Sequence, residues 1–272
     1  MTDRSSTIPS YRKPPIVEAV WSVQFTEMTW MFSPHTGVFW NSIKQRFPVC
    51  QEQPPIAHVV EVPDLFNVPP NQVELRQLPQ TRQWFLSNPG NDIVQLQRDR
   101  FCCNWRKVKA QDVYPRFSYM KQQFEQSWDA FTRFIRDSGQ SLPTIDQCEM
   151  TYTNIFDQEE GWNSIGQFGN VFTMMAWPST PAFLPAPKTL VARLTFDIPG
   201  IAGRLHAVVR HVLKREGPAQ EALMLELTAR GLPSRIDHEG LLSWFASARE
   251  AIVRGFTDLT TDAMHGIWER EQ

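Results

Sequence analysis

The first half of the chain alternates between apolar and polar residues in a way that predicts strands around one long helix. From Ile16 to Phe25 every second residue is apolar, the pattern of a strand with one buried face. After Tyr114-Pro115, apolar residues recur three and four positions apart, as they do on one side of a helix. That stripe consists of Phe117, Met120, Phe124, Trp128, Phe131 and Ile135. Shorter strands are predicted over 73–78, 84–87 and from residue 93 onward, and an irregular, proline-dotted segment over 49–72.

The second half repeats this order of elements. It predicts a strand over 148–155, a short helix within 161–173, a proline-rich loop over 177–188, a strand over 190–196 and a hairpin of 205–213 with 221–228. Asp237 has the side chain of an N-cap, and it precedes a last helix with an apolar stripe from Leu241 to Leu259.

Both halves therefore predict the order β-α-β-β-β-α. We expect an α+β protein of two similar lobes, each mainly antiparallel sheet covered by helices. The predicted boundaries are a flexible N-terminus over 1–13, an N-terminal lobe over 14–140 and a C-terminal lobe over 141–272. The alternative is one irregular α+β sheet without internal symmetry.

Composition narrows the classes of function. The 272 residues carry a formal net charge of −2, from 27 Lys and Arg against 29 Asp and Glu, which excludes the strongly basic character of a dedicated nucleic-acid binder. The four cysteines are too few and too unevenly spaced for a disulfide framework. The first residues lack the apolar stretch of a signal peptide, and no run approaches the roughly 18 apolar residues of a membrane helix. We expect a cytoplasmic protein without membrane contact.

Two short motifs mark the first half. Pro14-Pro15-Ile16-Val17-Glu18 opens the first strand, and residues 94–101 lead into Asn104-Trp105-Arg106-Lys107. Together, PPI-x-E and QxQxDRFxxNWR resemble a sporadically distributed bacterial family of uncharacterised proteins, over nearly the whole chain from Pro14 to Trp268. The resemblance implies a bacterial cytoplasmic source. The patchy distribution of that family implies mobile or defence-associated genes, and the family supplies no activity to carry over.

Sequence signatures of catalysis are missing from the chain. It contains no HExxH, GxSxG, GxxxxGK[ST] or GxGxxG motif. His206 and His211 fall on one predicted strand at an odd separation, so their side chains point to opposite faces and cannot share a metal. We expect no cofactor and no metal.

The stretch from Gln95 to Lys109 is the most informative segment for function. It places five cationic side chains beside one aspartate and interleaves Phe101 and Trp105, as a single-stranded nucleic-acid platform does. Phe101 and Trp105 share one strand phase, however, so they also fit a core. The candidate binding residues are Gln95, Gln97, Arg98, Arg100, Trp105 and Arg106.

We therefore expect a non-enzymatic protein that binds another protein, as an accessory component of a defence or mobile-element system. One alternative is a nucleic-acid-binding protein that uses the surface from Arg98 to Lys109. Another is an enzyme whose site is assembled in space without a sequence motif. Self-association into a homo-oligomer is left open.

Overall fold

The strands form a single nine-stranded antiparallel sheet in the part of the chain that the computed structural model describes, residues 7–61, 81–178, 183–214 and 220–272. The strands are β1 (Ile16–Phe25), β2 (Val49–Gln53), β3 (Arg82–Leu86), β4 (Asp92–Gln97), β5 (Arg100–Arg106), β6 (Ile145–Asp157), β7 (Val191–Asp197), β8 (Gly203–Lys214) and β9 (Gln220–Gly231). The helices are α1 (Ser33–Ile43), α2 (Arg116–Asp137), α3 (His238–Leu259) and α4 (Asp262–Ile267), with a 3-10 helix at Ile165–Asn170. The order across the sheet is β2-β3-β4-β5-β1-β6-β9-β8-β7.

Strands β1 and β6 pair at the centre of the sheet and join its two halves. In the first half β2 to β5 form a meander whose last strand returns beside β1. In the second half β7 to β9 form a meander whose last strand returns beside β6. Each half then continues into a helix of 22 residues. The predicted antiparallel α+β architecture is confirmed, and both halves contribute to the same sheet.

Long helices α2 and α3 cover one face of the sheet with the predicted apolar stripes. The ring of Trp21 on β1 stacks on Phe245 of α3 at a centroid distance of 4.5 Å and lies 5.4 Å from Phe124 of α2. Phe101 on β5 stacks on Phe131 at 5.0 Å. Asp237 caps α3 as predicted, because its carboxylate accepts the backbone N–H of Gly240 at 2.8 Å. This face is the aromatic core of the protein.

Strand β2 corrects the prediction of an irregular segment from residue 49. Four of its five residues are exposed at the edge of the sheet, so its sequence carries no alternation of apolar and polar residues to reveal it. The strand predicted over 73–78 and the turn of the β8–β9 hairpin lie outside the described residues. The short helix predicted within 161–173 is the 3-10 helix Ile165–Asn170.

The described part of the predicted flexible N-terminus, residues 7–13, packs against the end of the chain. Tyr11 is 5% exposed, and its ring lies 5.4 Å from that of Phe256. The backbone N–H groups of Arg12 and Lys13 donate to the carbonyls of Glu269 and Trp268, both at 3.0 Å. Among the described residues, none of the helices combines the length and the apolar character needed to cross a membrane.

Candidate functional site

The sheet face opposite the helices is polar, yet its centre is as buried as the core. Strand β1 shows this directly, since Trp21 and Gln24 are both 0% exposed although they point to opposite faces. A buried polar side chain must find hydrogen-bond partners to offset its lost hydration. We call this surface the polar face. Its buried members are Ser22, Gln24, Gln95, Gln97, Arg100, Asn104, Gln147 and Thr228.

Antiparallel pairing aligns four of these side chains in one row across the sheet. Gln97 on β4 is paired with Arg100 on β5, Arg100 with Gln24 on β1, and Gln24 with Gln147 on β6. The row therefore crosses from the first half of the chain into the second. We call these four residues the glutamine row.

Residues 54–61, which we call the strap, cross the glutamine row and bury it. Gln97 binds both main-chain groups of Ile56: its Nε2 donates to the carbonyl at 2.7 Å, and its Oε1 accepts the N–H at 2.8 Å. Gln24 binds Val59 in the same way, at 3.0 and 3.1 Å. The strap is therefore recognised through its backbone.

The third glutamine and the arginine of the row complete this recognition. The Oε1 atom of Gln147 accepts the N–H of Glu61 at 2.7 Å, while its Nε2 atom donates to the carbonyl of Val59 at 2.7 Å. Arg100 donates to the carbonyl of Ala57 at 3.0 Å and to Oε1 of Gln24 at 2.7 Å. Six main-chain groups of the strap thus receive a side-chain partner from the row.

The spacing of the row matches that of an extended chain. Neighbouring strands lie about 4.8 Å apart, so Gln97 and Gln24, two strands apart, are separated by about 9.6 Å. Three residues of extended chain advance about 10 Å, which is the step from Ile56 to Val59. A segment that crosses the strands can therefore present a peptide unit to every glutamine of the row.

The strap ends in a cluster of alternating charges on the second half of the sheet. The carboxylate of Glu61, 11% exposed, contacts Nε2 of His206 and lies 3.5 Å from Arg204 and 4.0 Å from Arg230. Arg230 also pairs with Glu149, which lies 3.7 Å from Arg100. These contacts connect the end of the strap to the glutamine row.

His58 ties the middle of the strap to two carboxylates at the rim of the polar face. Its Nδ1 lies 3.3 Å from Asp99 and its Nε2 lies 3.6 Å from Asp146. Asp99 in turn accepts Nε2 of Gln97 at 2.6 Å. Within the described ranges, no three His, Cys, Asp or Glu side chains are grouped to hold a metal ion.

The structure brings together only part of the candidate set proposed from sequence. Gln95, Gln97 and Arg100 are buried on the polar face. Trp105 points to the opposite face, where it is 4% exposed and its ring lies 5.6 Å from that of Tyr114. The core interpretation of the aromatic residues in this stretch is therefore confirmed.

The other two arginines of the candidate set lie at strand ends and contact protein acceptors. Arg98 donates to the carbonyls of Met28 and Thr29 at 3.2 and 2.6 Å. Arg106 donates to the carbonyl of Gly90 at 3.2 Å and lies over the ring of Trp84. Both guanidinium groups help to hold loops beside the sheet.

Sequence reasoning missed the residues that complete the site, namely Gln24, Gln147, Glu149, His206, Arg230 and the strap itself. A weak signal exists in β1, where Ser22 and Gln24, like Glu18, occupy the phase that alternates with the apolar residues. The strap sequence carries no periodicity, and its partners lie up to 145 positions away along the chain.

A comparison of the chain with models of known protein families, with curated proteins and with solved structures found no match. The polar face is therefore interpreted from its own geometry.

Proposed function

We propose that this protein works by binding another protein, and that the polar face is its recognition surface. One observation carries the proposal: three glutamines of the sheet bind the backbone of an extended segment that crosses them. Main-chain hydrogen bonds give affinity for extended peptides, while side-chain pockets add specificity. The proposed setting is the bacterial cytoplasm, in a defence or mobile-element system, as the family resemblance implies.

We propose that residues 14–140 and 141–272 form two similar lobes, which meet where β1 pairs with β6. The glutamine row takes Gln97, Arg100 and Gln24 from the first and Gln147 from the second. Neither lobe alone would contain the complete glutamine row. This supports a function that requires both lobes in one sheet.

Three of the four cysteines are buried and poorly suited to act as nucleophiles. Burial raises the pKa of Cys102, Cys103 and Cys148, which keeps them protonated at neutral pH. A thiol in that state is a poor nucleophile. The polar face also directs its amides and guanidinium groups at peptide units, an arrangement that suits recognition.

Contacts of the arginines argue against nucleic acid as the partner. The guanidinium groups of Arg98, Arg100 and Arg106 all donate to protein acceptors. Phosphate binding depends on cationic side chains that can approach the backbone of the nucleic acid. Phosphate binding would need the N–H donors of these three arginines, which instead bind acceptors within the protein.

A pair of photoreactive substitutions tests the proposal. One replaces Arg193, an exposed residue on the polar face, and its matched control replaces Gln122, an exposed residue on the outer side of α2. We expect a protein cross-linked from position 193 and not from 122, identified by mass spectrometry and then purified.

The purified partner is next titrated against the Gln97→Leu variant and, as control, Gln51→Leu at the exposed edge of the same face. We expect Gln97→Leu to weaken binding at least tenfold and Gln51→Leu to leave it unchanged. Equal binding of the partner by the wild type, Gln97→Leu and Gln51→Leu would refute the polar face as the recognition surface. A salt-dependent gel shift with DNA or RNA that Gln97→Leu abolishes would favour the nucleic-acid alternative.

A further inference from the structure

We infer that the partner of the polar face is an extended peptide segment with an acidic side chain, and that the strap occupies the site in its place. This inference rests on the proposed function. The strap is the segment that the site already holds, so its chemistry indicates that of the ligand, and Glu61 stands for the acid of the partner.

The positions at which the strap is buried define the motif. Ile56, Val59 and Glu61 are half-buried, whereas Ala57, His58 and Val60 are exposed. The three half-buried residues are also those whose main-chain groups the glutamines bind. These three positions supply the template for the proposed motif: an apolar residue, a second apolar residue three positions later, and an acid two positions after that.

The acid position is selected by charge. Nε2 of His206 contacts the Glu61 carboxylate, while Nδ1 of His206 lies 3.2 Å from the hydroxyl of Thr195. Arg230 is shared between Glu61 and Glu149. Removal of the Glu61 carboxylate would leave Arg230 with Glu149 and would take one carboxylate away from both Arg204 and His206, so partly buried positive charge would lose part of its compensation. Whatever replaces the strap must therefore supply an anion at this point.

Exchange between strap and partner preserves the hydrogen bonds of the row. Each glutamine amide directs an Nε2 donor and an Oε1 acceptor at the strap, and an extended peptide presents the complementary carbonyl and N–H groups. Because the strap is tethered, it competes at an effective concentration in the millimolar range. A free peptide of the same sequence should therefore bind the wild-type protein weakly, and better once the strap is weakened.

The test uses the full chain and a labelled peptide of residues 54–61, acetylated and amidated so that the side chain at position 61 is its only carboxylate. A matched peptide carries Gln at that position. Both are titrated by fluorescence polarisation into the wild-type protein and into Glu61→Gln, the strap-weakened variant. We expect the Glu peptide to bind the variant about tenfold more tightly than the wild type, and about tenfold more tightly than the Gln peptide binds the variant.

Two further variants locate the source of this preference. Arg230→Gln and His206→Gln, each made in the Glu61→Gln background, should each reduce the preference for the Glu peptide by about threefold or more, while Arg204 still lies beside the acid position. Either variant suffices if the other fails to fold, as judged by its thermal unfolding.

The remaining outcomes separate the two proposals. Equal binding of both peptides to the strap-weakened variant would refute selection of an acid and leave the backbone-recognising surface intact. Absence of binding by either peptide, with the amides of Val59 and Glu61 still protected from hydrogen exchange in the variant, would show a permanent cover and refute exchange. A cross-linked partner that docks on the polar face without such a motif would refute this inference alone.

Discussion

At the centre of the sheet, the two faces bury their side chains equally and hold them by different forces. On the helix-covered face, Trp21 packs among aromatic rings whose contacts depend little on orientation. On the polar face, three positions along the same strand, Gln24 is held by directed hydrogen bonds to Val59 and Arg100. Two residues three positions apart on β1 are thus held by apolar packing in one case and by hydrogen bonds in the other.

This difference separates the source of stability from the surface proposed for recognition. Burial of apolar surface is the dominant favourable term in folding, and the aromatic face supplies it over two long helices. A net hydrogen bond contributes only about 0.5–1.5 kcal/mol, because water competes for the same groups. The proposed exchange of one peptide for another on the polar face would therefore cost little net free energy, whereas release of the helices would expose the aromatic face to water.

Truncation on the aromatic face should produce the largest effect. Trp128 lies within 5.4 Å of Phe101 and Phe131 and stacks on Phe124. We expect Trp128→Ala to lower the free energy of unfolding by about 3–5 kcal/mol, because it leaves a cavity among rigid rings. Denaturant titration measures this, with Gln122→Ala on the exposed side of α2 as the control. An unchanged midpoint would show that this stripe does not support the core.

A substitution on the polar face should cost less and act locally. Gln24→Leu removes both hydrogen bonds to Val59 and one acceptor of Arg100. We expect a loss of about 1–3 kcal/mol, since the N–H of Val59 loses its partner and the buried guanidinium loses one. Hydrogen exchange at Val59 should accelerate, and exchange in α2 should not. A loss as large as that of Trp128→Ala would contradict the division between the faces.

The smallest effect should come from a carboxyl group at the margin of the polar face. Burial raises the pKa of Glu18 above its ordinary value of 4.5, although Asn104 donates to it at 3.0 Å. The folded state therefore favours the protonated form, so this contribution to stability is present at low pH and is lost as pH rises through the raised pKa. We expect Glu18→Gln to stabilise the protein at pH 7 by no more than about 1 kcal/mol.

Thermal unfolding of Glu18→Gln and wild type across pH 4–8 checks this sign. The difference should shrink as the pH falls to 4, because below its ordinary pKa of 4.5 the wild-type carboxyl group is mostly protonated in both states. A variant that is less stable than wild type at pH 7 would show that ionised Glu18 is stabilised by its neighbours.

Sequence periodicity could predict the aromatic face because each of its elements carries its own pattern. The spacing of Phe124 and Phe131 and the alternation of Trp21 with polar neighbours are sufficient to place α2 and β1. The same alternation predicts a half-buried β1, whereas both faces are covered. Periodicity reports the polarity of a face and not whether another segment lies over it.

The strap could not be predicted for a related reason. Its position depends on amides from three distant strands, not on its own side chains, and Pro54-Pro55 at its start indicates only an irregular chain. The sequence shows the cationic stretch around Arg100, but the role of its charges depends on Glu149 and Gln24, which only the folded sheet brings near.

The position of the strap also sets an order of assembly. Gln24 and Gln97 lie within 41 positions of their strap partners, whereas Gln147 and His206 lie 86 and 145 positions from Glu61. During synthesis the strap can meet its first two partners early, and it must wait for β6 and β8 before its acidic end is held. Closure of the strap thus marks the moment at which the C-terminal strands have joined the sheet. A nascent chain before that moment holds the strap through the first half of the glutamine row alone, while Glu61 has yet to meet His206 and Arg230.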